Sequence, residues 1–555
     1  MTNDLKTIDP KQAHLWIVGG GIAGMATAAF AIRDAKVPAW NIHILEELDV
    51  TGGNMDGAKS PVVPGTYVTR GGRMFEEQAY QTTWDLFSTI PSLEDPDVTV
   101  RQEMLDFNST FTTHARARLV DARHHILDAS SYGLSHRDRL DMTRMLAMSE
   151  NTLGARRIDE IFGEHFFETS FWQMWRTMFA FQKWHSVIEL RRYFLRFVQE
   201  FDLLDTVGGI CRTKYNQYDS MIVPLQRWLV AQGVDVRFGT RVTDVDFTGQ
   251  GEPRRATCLY VEDATAGAST IELGRGDFTF ITIGSITADT TYGGNDTVPP
   301  LVRDRVDHAW SLWEEIAKKA PDFGRPNTFF GNIDENKWES FTLTMHSDVL
   351  LNRIVEYTGN QPGTGALTTF IESGWHLSMV VPAQPHFPNM AENTYTLWGY
   401  GFEIDNEGDY IRKKMSQATG REVLIELVHQ LGFEDILDEV LATTDVTTVM
   451  MPYASALFSR RVPQDRPKVI PDGAQNFAFL GQFTELPGTS CSPWNTRSTG
   501  PCTRCTSSSG WTVPSRRSTR VCTTRRSGSR HSRPLSSRRR AIPRRPQAVS
   551  ISSGQ

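Results

Sequence analysis

The hydrophobic pattern of the 555-residue chain begins with a short apolar run, Leu15 to Val18, that ends on glycines and passes into small and apolar residues, HLWIVGGGIAGMATAAFAI. An apolar run of that length closed by glycine reads as a buried strand, and the stretch after it as a helix. A second apolar run, NIHILEE, ends on two acids, Glu46 and Glu47. Further on, GVDVRFGTRVTDVDF (233–247) reads as strand, turn and strand. FTFITIGS (278–285) and FAFLGQF (477–483) read as two later strands. Residues 70–87, RGGRMFEEQAYQTTWDLF, hold a glycine pair between two arginines and then predict a helix carrying two adjacent glutamates. From Cys491 onward Ser, Thr, Arg and Pro dominate, and hydrophobic periodicity stops.

The spacing Gly19-x-Gly21-x-x-Gly24 lies between the first strand and its helix, with Glu46 closing the second strand. This arrangement sets a pyrophosphate at a helix N-terminus, with Ile22 and Ala23 in the turn and an acid about 20 residues on for ribose hydroxyls. Glu47 belongs to the same expected site. The next glycine turn, DVTGGNMDGA, contains Asn54 and resembles the loop of large FAD proteins in which the cofactor continues inward. Val242, in the strand pair at 233–247, is the expected contact on the adenine side. Thr282, Gly284 and Ser285 in one later strand and Gly481 in the other return to the nucleotide.

Four separated segments thus converge on one cofactor. The expected fold is α/β: an FAD-type Rossmann domain, discontinuous in sequence, with inserted substrate-binding α+β domains. Its expected segments are 12–75, 205–295 and 440–487. Residues 76–204 form a mainly helical substrate or lid region, 296–439 a substrate-binding domain, and 488–555 a basic tail.

Length adds that several substructures share one cleft, since 555 residues exceed one ordinary core. No apolar run approaches the roughly 20 residues that cross a bilayer, and the start MTNDLKTIDPKQ has no signal-peptide core. Only Cys211 and Cys258 precede residue 490, which fits a reducing compartment rather than a disulfide framework. A cytoplasmic protein is the expectation. The net charge of −7 gives no sign of nucleic acid. Fourteen arginines and no acid lie from Cys491 to the end, so the −7 conceals about −21 on the preceding residues.

Several longer stretches are specific enough to carry a resemblance: RTKYNQYDSMIVPLQRWL (212–229), KWHSVIELRRYFLRF (183–197), QPHF (384–387), WGYGFEIDNEGDY (398–410) and GQFTELP (481–487). Together they resemble the oleate hydratases, formerly called myosin-cross-reactive antigens, from about Leu15 to Pro487. The resemblance implies FAD held without net electron transfer, and water added to the cis-9 double bond of unsaturated fatty acids to give 10-hydroxy products. Fatty acid and water are the expected partners, with no nucleic acid. Monomer, homodimer and peripheral membrane contact for substrate uptake all stay open.

Hydrating an unactivated alkene requires a proton for one carbon and a positioned water for its neighbour. Tyr193 in RRYFLRF matches the family's proton donor, although the same ring also suits aromatic packing beside Phe194 and Phe197. RGGR resembles the loop that folds over the flavin, making Arg70, Gly71, Gly72 and Arg73 expected cofactor contacts. In most members the following residue is the water-activating glutamate. Here it is Met74, which neither accepts a proton nor orients water well. On a regular helix Glu77 shares the face of residue 74, so it is the expected substitute, and Glu76 points elsewhere.

Gln217 and His386 match residues proposed to hold the fatty-acid head group, whereas Val380 and Pro382 stand where the family has a threonine and an asparagine. The aromatic stretch 166–184 suits either a packed core or the wall of an acyl channel. Two other readings stay open: a flavin oxidoreductase of the desaturase or isomerase type, and an inactive protein that binds FAD and fatty acid. The family match breaks at Pro487. Back-translated with GC-rich codons and shifted by two bases, GTSCSPWNTRSTGP reads DVVLTVEYSVHGP, which resembles the family's continuation and implies a frameshift near Gly488. The pair Cys502 and Cys505 then lies in an accidental reading frame and lacks a second ligand pair, so no metal is expected.

Overall fold

Strand β1 (His14–Val18) feeds helix α1 (Ile22–Arg33), and strand β2 (Ile42–Leu45) returns parallel beside β1. Strands β3 (Asp235–Arg237), β4 (Asp277–Thr282) and β5 (Phe477–Leu480) arrive from far along the chain. They complete a five-stranded sheet in the order β5-β4-β1-β2-β3, parallel throughout. Ile17 lies level with Phe280 on one side and Ile44 on the other. The structure is a computed structural model that describes residues 8–55, 57–72, 74–249, 253–304 and 307–486.

Small residues decide how close α1 sits to this sheet. Ala23, Ala26, Ala28 and Ala29 are all buried. A Cβ on Gly24 would fall 2.1 Å from the Gly19 carbonyl oxygen and 3.0 Å from an Ile17 methyl, so no larger residue fits without parting helix from strand. Gly19 itself has φ +95°, a conformation that glycine tolerates and branched residues do not. An antiparallel meander of Thr240–Phe247, Ala256–Asp263 and Gly267–Glu272 follows β3. The five strands, α1 and this meander make the FAD-type Rossmann fold expected from the sequence.

A second, seven-stranded sheet is built mostly from residues 291–451, with Leu119–Val120 at one edge and Thr291–Gly293 at the other. Its central strands are Trp338–Met345, Tyr395–Gly401 and Thr444–Met451. Phe341, Leu343 and Leu397 pack beneath Leu350, Ile354, Leu424 and Leu427 of two covering helices. Alternation along the strands sends Trp338, Trp398 and Tyr400 to the other face, where the cavities lie. Residues 444–451, expected with the nucleotide segments, therefore pair within this sheet. The pattern of a buried strand does not say which sheet it joins.

Between the sheets run α2 (Ser170–Phe179) and α3 (Val187–Arg196). Phe194 meets Phe171 and Trp175 edge to face, at 5.8 Å and 4.6 Å, while Phe171 and Trp175 stack on each other. Helix α4 (His308–Ala317) packs on the meander strand Thr240–Phe247, with Trp310 and Trp313 fully buried. Among the described residues no helix is long and apolar enough to cross a membrane.

An ion network ties α3 to the segment around β5. Arg192 reaches Glu150 and Glu485, each at 2.6 Å, and Arg461 reaches Glu189 at 2.6 Å and Glu485 at 3.2 Å. Burial opposes charge on Glu189, but Arg466, Arg461 and Arg192 outweigh it and hold its carboxyl down at about 2. That is below the ordinary glutamate value of about 4.3, so its contribution to stability is complete above that pH and is lost as pH falls toward 2. Glu189→Gln leaves buried arginines short of a partner, and we expect it to cost about 3 kcal/mol or more near neutral pH. Urea melts from pH 7 to 3 would check this: the variant should lose less stability on acidification than the parent, and parallel curves would remove Glu189 from the network's energetics.

Candidate active site

The cleft above the carboxyl ends of β1, β2 and β4 has a volume of about 1050 Å³. Gly19, Gly21 and Ala23 form one wall, where no side chain caps the N-terminus of α1. A Cβ on Gly21 would meet nothing closer than 3.9 Å, which leaves the first-turn N–H groups open to an anion. At the end of β2, Glu46 accepts N–H bonds from Gly20 at 2.6 Å and Leu48 at 3.0 Å, and burial pushes its carboxyl up. Glu47 beside it is pushed up to about 7 by burial and by the charge of Asp307.

Asn54, Arg70, Val242, Thr282, Gly284 and Ser285 complete the expected part of the lining. The hydroxyl oxygen of Thr282 is buried with no hydrogen-bond partner in the protein, a polar atom waiting for a ligand group. Glycine wall, uncapped helix end, terminal acid and orphaned hydroxyl together fit a dinucleotide.

Several expected contacts lie elsewhere. Ile22 and Gly24 face away from the cleft into the helix–strand packing, because only one face of α1's first turn is open. Gly481, with φ +96°, turns the chain behind Thr282 without lining the cleft. Gly71 and Gly72 line a cavity farther in, and Arg73 lies outside the described residues. The tail 488–555, on which the expected frameshift and the Cys502 and Cys505 pair fall, also lies outside them. Sequence reasoning missed α4, whose His308, Ala309 and Leu312 line the cleft from a segment expected in another domain. Its amphipathic pattern marks a buried face and does not say what that face covers.

Arg70 and Thr287 are shared between the cleft and a cavity of about 1130 Å³. That cavity is largely apolar, walled by Met178, Phe179, Phe197, Leu457 and Phe458. The aromatic stretch at 166–184 divides between core and cavity: Phe171 and Trp175 fill the core while Met178 and Phe179 face the cavity. Tyr193, on α3 and 4 % exposed, lines it too. Its ring is held edge to face by Phe181 at 5.2 Å, Phe458 at 5.3 Å and Phe179 at 5.6 Å. Such packing leaves the ring little rotational freedom.

The region after RGGR departs from the sequence expectation. Residues 75–76 are a two-residue strand paired with Ile210–Cys211, a turn follows, and the helix begins only at Gln81. In extended chain the side chains at i and i+2 share a face. Met74 and Glu76 accordingly both line the cavity, while Phe75 packs the opposite way on Tyr80 and Trp84. Glu77 is exposed on the surface, where it meets Arg101 at 3.5 Å. The choice of Glu77 is corrected on that ground: helical spacing does not hold here.

Glu76 is 4 % exposed, and its carboxylate accepts the Gln78 N–H at 2.9 Å and the Ala79 N–H. Glu200 lies behind it, its own carboxyl pushed up to about 7 by burial and by the charge of Glu76.

A smaller cavity of about 620 Å³ shares Gly72, Arg212, Val380 and Trp398 with the larger one. Gln217 and His386 both line it, as do Val380 and Pro382, which supply no side-chain donor. Burial pushes His386 down to about 4, so it is neutral at physiological pH.

This chain is 36 % identical over 490 residues to the oleate hydratase of Streptococcus pyogenes serotype M49 (strain NZ131), covering 86 % of this chain and 82 % of that protein. It is 34 % identical over 508 residues to the linoleate hydratase of Lactiplantibacillus plantarum, covering 85 % and 89 %. A solved oxidoreductase from Methanosarcina mazei superposes with a TM-score of 0.46 at 10 % identity, covering 87 % of this chain and 98 % of that one. The MCRA family matches residues 12–496, and with most of its length so matched the chain belongs to the MCRA family.

Proposed function

We propose that the protein is a hydro-lyase that adds water to the cis-9 double bond of an unsaturated fatty acid such as oleate, giving the 10-hydroxy acid. The observation that carries this reading is a phenol and a carboxylate, Tyr193 and Glu76, on the wall of one apolar cavity. The names of the two hydratase relatives support the substrate class. FAD is the dinucleotide proposed for the cleft, held by the glycine turn, Glu46 and Thr282. When bound it supplies electrostatic support beside the cavity and no net electron transfer, because hydration changes no overall oxidation level.

Each residue then has one task. The apolar walls take the acyl chain and exclude bulk water. The Tyr193 hydroxyl gives its proton to one alkene carbon as the π pair forms the new C–H bond. A water held by Glu76 bonds through oxygen to the neighbouring carbon, and its departing proton passes to the carboxylate. Return of that proton to the phenolate closes the cycle with H₂O added and nothing oxidised. Gln217 and the neutral His386 offer hydrogen bonds to the head group.

Incubating oleate with the FAD-loaded protein and weighing the product tests the reading. A gain of one water supports it. Loss of two hydrogens would point to a desaturase, and an unchanged mass to isomerisation or to binding without turnover.

A further inference from the structure

Arg212 stands at the neck between the two cavities and lines both. One of its terminal nitrogens donates to the Gly365 carbonyl at 2.9 Å, and its Nε is buried with no acceptor at all. The other terminal nitrogen faces Gly72: a Cβ built there would stand 3.9 Å from it and 4.0 Å from the Trp398 ring. No Asp or Glu pairs with this guanidinium among the described residues, and burial alone pushes it down to about 10.

The more deeply buried arginines are treated differently. Arg176 has Glu403 at 2.7 Å, and Arg192 and Arg461 have the glutamates of the ion network. Arg118 has no carboxylate, yet its three guanidinium nitrogens all donate to backbone carbonyls or threonine hydroxyls. Arg212 alone among these combines an unbalanced charge, an unused donor and a position on cavity walls. A part-buried charge without a carboxylate partner is costly, and a planar guanidinium matches a carboxylate in two parallel hydrogen bonds.

The surroundings say which anion. Arg212 is the one charged residue among the described residues lining the smaller cavity, where His386 is neutral and Val380 and Pro382 offer nothing. On its other side lies the larger, mostly apolar cavity, whose other guanidinium, Arg70, stands where that cavity meets the cleft. The geometry points to Arg212 as the counter-ion of a long-chain monocarboxylate, holding the head group at the neck while the chain occupies the larger cavity. Arg212 thereby supplies the charge that Gln217 and His386 lack. The inference rests on the fatty-acid reading for the ligand's class and does not depend on hydration.

Binding of two saturated ligands of equal length, stearate and octadecanol, separates the two questions, since neither can be hydrated. With the full-length FAD-loaded protein, tryptophan fluorescence in dilute detergent should show stearate favoured over octadecanol. Arg212→Met should weaken stearate by about 10- to 100-fold and leave octadecanol within about twofold. Arg212→Lys, which keeps the charge and loses the fork, should fall between. Equal weakening of both ligands, or a melting temperature lowered in Arg212→Met and restored in Arg212→Lys without any change in ligand preference, would make Arg212 structural and overturn the assignment. Unchanged stearate affinity would do the same. If stearate preference is lost in Arg212→Met while oleate is never hydrated by the parent, the anion site stands and the hydratase reading falls.

Discussion

Tyr193→Phe should lower the rate of oleate hydration by about 10²- to 10⁴-fold, the usual range for losing a positioned general acid, while FAD content and melting temperature stay near those of the parent. The ring is held by Phe179, Phe181 and Phe458 through edge contacts that phenylalanine reproduces, so the substitution removes a proton and little packing. The loss should therefore appear in kcat with KM nearly unchanged. Turnover numbers and KM from product chromatography, beside FAD absorbance, make the comparison. Full activity in the variant would move the proton donor elsewhere, and a collapse of FAD binding would show that the hydroxyl serves the fold.

Glu76→Gln carries the second large effect, expected at about 10²-fold or more in kcat, because an amide neither takes up the water's proton nor stabilises positive charge on a developing cation. Glu77→Gln is the matched control. Its carboxylate is on the surface against Arg101, and an exposed pair of that kind contributes between 0 and about 1 kcal/mol, so turnover should stay within about twofold of the parent. Since the Glu76 carboxylate also accepts two backbone N–H groups in the turn, stability must be followed in both variants. Glutamine retains one acceptor oxygen, and Glu76→Gln should melt close to the parent. A large fall in melting temperature with kcat per folded molecule unchanged would reduce Glu76 to a turn residue. Equal small effects of the two substitutions would leave water activation to another group.

Local pattern alone made the nucleotide fold legible. Glycines at 19, 21 and 24, an apolar strand ahead of them and an acid at the end of the next strand have one common solution, because helix and sheet cannot approach closely with larger residues at position 24. The later strands at 277–282 and 477–480 were readable as strands for the same reason. Parts of the site were readable through resemblance: Tyr193, Met74, Gln217 and His386 all line the two cavities. Resemblance alone did not settle which cofactor-loop residues face the cleft: Gly71 and Gly72 line the inner cavities instead.

The sequence by itself therefore determined the parallel sheet, the glycine turn and the aromatic wall, all properties of residues close together along the chain. Tertiary structure decided three further matters. Pairing of residues 75–76 with 210–211 replaces the helical period with a strand period, and a change of period exchanges which neighbour faces inward, bringing Glu76 rather than Glu77 to the cavity. Packing of α4 on the meander carries residues 308–312 to the cleft from a segment that looked like another domain. Closure of the second sheet over Arg212 leaves one guanidinium without a carboxylate among the described residues at the meeting point of two cavities. Each depends on which distant surfaces meet, and a charge on a cavity wall acquires meaning only once everything that surrounds it is known.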